Sequence, residues 1–111
     1  MAWIPLNTEV QLQEIISKSA KRPQVIFKHS TRCSISSVAD RRLQKESLPQ
    51  DIDFYHLDLL AHRQLSNKIA ETFGVHHESP QVLVIKDGEC IYDESHLSIS
   101  MDEIIEQAKA F

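Results

Sequence analysis

One run of this chain, Phe27-Lys28-His29-Ser30-Thr31-Arg32-Cys33-Ser34-Ile35-Ser36-Ser37, holds a cysteine among polar neighbours. A cysteine sulfur attacks disulfides and electrophiles as the thiolate, so its surroundings decide whether it reacts. Val25, Ile26 and Phe27 make an apolar run typical of a buried strand, and Ile35, Val38, Ala39 and Leu43 recur downstream at helical spacing. Cys33 therefore falls where a strand hands over to a helix. The first backbone N–H groups of a helix have no partner, and the helix dipole is positive there, so an anion is favoured. The thiol is expected to be partly ionised near neutrality. A lone cysteine is often a small buried hydrophobe instead. Arg32 and the serines and threonine around Cys33 argue for the reactive reading.

Ser36 stands three residues after Cys33, where a CxxC enzyme carries its second thiol, so the turn is monothiol. The Ser34 and Ser36 hydroxyls suit two roles at once, bonding the thiolate and capping the helix. Ser79-Pro80 precedes the most strand-like run of the chain, Gln81-Val82-Leu83-Val84-Ile85. Arg32 is either a solvated charge or a cation that tunes Cys33 or grips a carboxylate. His29 is either an imidazolium beside the thiol or a structural residue at the strand end. Cys90 begins an apolar edge strand and fits the core better than a resolving role. His76 and His77 sit in the loop before Pro80. With His56 and His62 they lack zinc-ligand spacing on any one element, so no metal site is expected.

The elements that place these residues follow from local signals. Residues 3–6 suit a short edge strand with Pro5, and Trp3 is expected at the sheet edge. Thr8 and Gln11 form a capping-box pattern, and Leu12, Ile15, Ile16 and Ala20 give the helix an apolar face closed by Pro23. A strand over 24–29 leads into the thiol turn and a helix over about 34–46, before Pro49. A third strand spans 51–58. Ala61, Leu65, Ile69 and Phe73 mark a third helix with Gly74 as its stop. Residues 75–80 are a loop. After strand 81–85, Asp87-Gly88 turns a hairpin into Cys90-Ile91-Tyr92. Ser100 and Glu103 form a second capping box, with Ile99 and Ile104 as its staple; Met101, Ile104, Ile105, Ala108 and Phe111 face inward.

Bulk properties bound the function. A chain of 111 residues suits one domain, taken as residues 1–111. A net charge of −4, spread without blocks, argues against nucleic-acid binding. No apolar run approaches the ~20 residues that span a bilayer. The start, Met1-Ala2-Trp3-Ile4-Pro5, lacks a basic segment followed by an apolar one, so a cytoplasmic location with reduced thiols is expected.

Strand–helix alternation ending in a hairpin predicts an α/β fold: a mixed five-stranded sheet with helices on both faces, the thioredoxin-like architecture. The thiol turn, Ser79-Pro80 and the Lys86-Asp87-Gly88 hairpin resemble thioredoxin-fold proteins. More narrowly, Phe27-Lys28-His29-Ser30 followed by Cys33, Ile35 and Ser36 resembles the monothiol bacilliredoxins. Their usual turn reads Thr-Cys-Pro-Ile-Ser; here Arg32 precedes the cysteine and Ser34 replaces the proline. The resemblance implies removal of bacillithiol from S-bacillithiolated proteins, with Cys33 as nucleophile; the Arg32 cation and the Ser34 and Ser36 hydroxyls are expected from their own chemistry to stabilise its thiolate. It also implies a cis Pro80 facing the cysteine, with Thr31, Ser79 and Pro80 binding substrate, whose extended segment pairs with the Ser79 backbone as an added strand. No bound cofactor is implied; bacillithiol is a co-substrate, and a second small thiol or a reductase completes the cycle. A monothiol glutaredoxin-like enzyme using another thiol, and a redox-inert thioredoxin-like binding module, are the rival readings.

Overall fold

A computed structural model describes residues 2–110. The chain runs β1 (Ile4–Pro5), α1 (Glu9–Lys18), β2 (Gln24–His29), α2 (Ser34–Gln44), β3 (Asp53–Asp58), α3 (Arg63–Phe73), β4 (Gln81–Lys86), β5 (Glu89–Ser95), a 3₁₀ turn (His96–Ser98) and α4 (Met101–Lys109). The sheet order is β1-β3-β2-β4-β5, with β1, β3 and β2 parallel and β4 and β5 antiparallel to their neighbours. This is the mixed five-stranded arrangement expected from the sequence. Pro5 lies in the edge strand β1, where a missing N–H breaks no central ladder.

The caps act as the sequence implies. Thr8 Oγ1 accepts from the Gln11 N–H, while Gln11 Oε1 accepts from the Thr8 N–H, a complete reciprocal box at the start of α1. At α4 only half the box forms: Ser100 Oγ accepts from the Glu103 N–H, and the Glu103 carboxylate instead accepts from Gln107. Gly74 closes α3 with φ +63°, the left-handed conformation that costs glycine nothing. Asp87 and Gly88 both have positive φ, as a two-residue hairpin of this hand requires.

The central strands are buried on both faces. Val25, Phe27, Phe54, Val82 and Val84 meet Ala39 and Leu43 of α2 and Met101, Ile104 and Ala108 of α4. Ile26, Leu57, Leu83 and Ile85 meet Leu12 and Ile15 of α1 and Leu65 and Ile69 of α3. Helices therefore cover both faces. Trp3 packs over the first cluster, its ring 5.2 Å from Phe54 and 6.1 Å from Phe27.

Three expectations need correction. In α2 the buried positions are Ser36, Ala39 and Leu43, while Ile35 and Val38 are 43% and 36% exposed. A buried serine, not an apolar residue, heads the inward stripe. The third helix starts at Arg63 rather than Ala61, because Asp58 Oδ1 accepts from the N–H groups of Leu60 and Ala61 and holds them in a turn. The last strand continues to Ser95, past Tyr92. Phe111, expected on the inward face of α4, lies outside the described residues.

Candidate functional site

Cys33 is the N-cap of α2, in extended backbone at φ −106°, and its sulfur makes no capping hydrogen bond. It is half-buried, and both cysteines are free. Its N–H donates to the Ser30 carbonyl at 3.2 Å, closing a tight turn between β2 and the helix, and its carbonyl accepts from the Ser37 N–H. Thr31, Arg32 and Ser34 are exposed around it. The sulfur thus sits at an open helix start with unpaired donors nearby.

The Ser79–Pro80 peptide bond is cis. β4 pairs antiparallel with β2, with Lys28 opposite Gln81. Carried one step further, that register brings Pro80 beside His29 and Ser79 beside Ser30, at the end of the sheet from which the thiol turn rises. Pro80 is buried and its carbonyl accepts from the His96 N–H at 3.0 Å. No backbone hydrogen bond of Ser79 occurs among the described residues, which leaves that peptide free to receive an extended chain. Thiol turn and cis proline therefore share one rim.

Beneath the turn lies a polar cluster that local sequence signals do not show. Ser36 is fully buried. Its Oγ accepts from the Ser30 N–H at 2.9 Å and contacts His29 Nδ1 at 2.7 Å. His29 Nε2 faces Asp40 Oδ2 at 3.9 Å, and Asp40 Oδ1 meets His56 Nε2 at 3.1 Å. Burial pushes the His29 pKa below its usual value against the pull of Asp40. The Ser36 hydroxyl therefore braces the backbone that carries Cys33. His29 is turned at the strand end toward the buried Ser36 hydroxyl, and His56 pairs with a carboxylate.

On the other face of β2, Lys28 is wholly buried. Its Nζ donates to the Ser66 carbonyl of α3 at 3.1 Å and lies 3.4 Å from His77 Nδ1 in the loop before Pro80. Desolvation lowers its pKa to about 8. Gln81 reaches back from β4 to the His76 carbonyl at 2.9 Å, so two side chains of the central strands tether this loop.

Cys90 lies on β5 opposite Ile85, at the far end of the sheet from Cys33. Burial pushes its thiol pKa up to about 11, and the S–H donates to the Tyr92 carbonyl at 3.2 Å. Among the described residues no three of His, Cys, Asp and Glu are grouped to hold a metal ion, and no helix is long and apolar enough to cross a membrane.

Comparison with known proteins agrees with this geometry. The family model described as monothiol bacilliredoxin BrxC matches residues 4–104. A solved structure described as a candidate oxidoreductase with a thioredoxin fold is 30% identical, with a TM-score of 0.81, over 94% of this chain and 91% of that one. The thioredoxin of Fasciola hepatica superposes with a TM-score of 0.74 at 20% identity, over 96% of this chain and 99% of that one. The thioredoxin of Malassezia sympodialis does so with a TM-score of 0.77 at 15% identity, over 96% and 91%. These two thioredoxins show the fold alone.

Proposed function

The chain belongs to the monothiol bacilliredoxin family, a group of thioredoxin-fold thiol oxidoreductases, and from that premise we propose that it removes bacillithiol from protein mixed disulfides through Cys33. The observation that carries this reading is the pairing on one rim. A half-buried, uncapped sulfur heads α2, a cis Ser79–Pro80 peptide stands beside its turn, and a serine replaces the second thiol of a dithiol enzyme.

The extended target segment lies along Ser79 as an added strand, which brings its mixed disulfide to the rim. The Cys33 thiolate attacks the bacillithiol sulfur in line with the protein sulfur. The new Cys33–bacillithiol disulfide forms as the old bond breaks, and the target departs as a thiolate that takes a proton from water. Arg32 and the open N–H groups of α2 favour the attacking anion. Because Ser36 cannot attack the new disulfide, a second bacillithiol thiolate, or a reductase, releases Cys33. With a second bacillithiol the product is the bacillithiol disulfide, which balances the exchange. S-bacillithiolated proteins and that thiol or reductase are therefore the partners, and the chemistry suits a reducing cytoplasm.

The test offers a reporter protein carrying a bacillithiol or a glutathione mixed disulfide to the wild type and to Cys33→Ser. Intact-mass analysis should find bacillithiol on Cys33 of the wild type only, with glutathione transferred far more slowly. Preferential glutathione transfer would overturn the choice of thiol; no transfer of either would leave a binding module.

A further inference from the structure

The contacts behind the thiol turn have a direction that disulfide exchange alone does not require. A serine hydroxyl offers one hydrogen and two acceptor positions. In Ser36 one acceptor position takes the Ser30 N–H, so the hydroxyl hydrogen is free to go to His29 Nδ1, 2.7 Å away. A neutral imidazole with its hydrogen on Nε2 suits both ends: Nδ1 accepts from Ser36, and Nε2–H is on the side of the Asp40 carboxylate, 3.9 Å away. A charged imidazole reverses the first bond. Nδ1–H then donates to Ser36 Oγ, which already accepts from Ser30, and the hydroxyl hydrogen must find another acceptor.

The side chain one turn back along the helix start is that of Cys33. Ser36 is the third residue of α2 and Cys33 its N-cap, so the two side chains lie one turn apart on the same side of the helix start. The Cys33 sulfur has no capping bond of its own. We propose that His29 is a positioning residue for Cys33, whose charge state decides whether the Ser36 hydroxyl is held inward or released toward the thiolate. The added proton comes from solvent and no covalent bond changes. The groups facing His29 are Asp40 on α2 and Asp58 at the end of β3, which favour the imidazolium, and His56 on β3, which opposes it; Phe27 stacks on the ring at 6.0 Å. Burial outweighs the carboxylates and holds the His29 pKa below its usual value, so the imidazole is neutral at pH 7 and charges only on the acid side. The inference rests on Cys33 being the working thiol, whichever small thiol it exchanges.

The experiment is the rate of Cys33 alkylation by iodoacetamide between pH 5 and 9, a readout that a failed bacillithiol assay leaves intact. A single thiol titration loses tenfold in rate per pH unit on its acid side. In the wild type the rate should depart upward at the acid end, by up to roughly fivefold above that line as the imidazolium forms, the worth of one hydrogen bond. His29→Asn keeps an oxygen able to accept from Ser36 but cannot titrate, so its profile should stay on the single line. Asp40→Asn removes a carboxylate that favours the imidazolium and should move the departure to lower pH. In the unmodified protein, nitrogen chemical shifts should place the imidazole hydrogen on Nε2 at pH 7.5. A wild-type profile without the departure, its persistence in His29→Asn, an unmoved departure in Asp40→Asn, or the hydrogen on Nδ1 would each overturn the proposal.

Discussion

Cys33 and Cys90 are one side chain in two settings at opposite ends of the same sheet. Cys33 heads a helix whose N–H groups are open, among exposed polar residues. Cys90 lies within a strand, its S–H spent on the Tyr92 carbonyl and its ionisation pushed up to about 11 by burial. The difference teaches that the setting, burial above all, decides whether a thiol is useful here. A helix start at the surface supplies donors to an anion, whereas burial within the sheet disfavours the anion by more than the backbone at Tyr92 and Val84 favours it.

The largest test of that contrast is native-state labelling at pH 8. A pKa raised from 9.0 to about 11 leaves about a hundredfold less thiolate, so Cys90 should alkylate about a hundredfold more slowly in the folded protein than after denaturation. Mass mapping of the labelled peptides reads this directly, and Cys90→Ser should leave the first transfer step unchanged. Rapid labelling of folded Cys90 would break the comparison.

A second test carries the same physics to a buried amine. Lys28 titrates at about 8 in the fold and at 10.5 when unfolded. Between those values the unfolded chain binds more protons, so stability rises with pH from about 8 to 10.5, and the full cost of the charge is present at pH 7. Lys28→Met should therefore stabilise the protein at pH 7 by about 2 kcal/mol, the lost contacts to Ser66 and His77 offsetting part of the gain. Chemical denaturation at pH 7 and 10 measures it, and the gain should shrink at pH 10.

The smallest effect belongs to the hairpin next to Cys90. Gly88 has φ +77°, so Gly88→Ala should cost about 1 kcal/mol. Looser pairing there should speed labelling of Cys90 while leaving Cys33 unaffected. An equal rise at both thiols would show that the two ends of the sheet are coupled.

Much of this was legible residue by residue because the signals are local. Thr8 with Gln11, Gly74, Asp87-Gly88 and the apolar run before Cys33 each declare a cap, a stop, a turn or a strand within a few positions. The polar interior was not, because it depends on distant partners. Lys28 is buried only because α3 and the loop at His77 close over it. Asp40 meets His56 across a helix and a strand, with no shared motif. Ile35 and Val38 fit a helical apolar face as well as Ala39 and Leu43 do, and only the inward bonds of Ser36 settle which stripe turns to the core.

The reversed direction of β4 has a consequence for how such a protein diverges. Its rim joins one segment that leaves a strand with another that enters a strand, and α2, β3 and α3 separate them along the chain. Pairing of β4 with β2 holds the proline half in register with the sulfur half, whatever the length of that connection. Changes of length in the connection therefore leave the rim assembled.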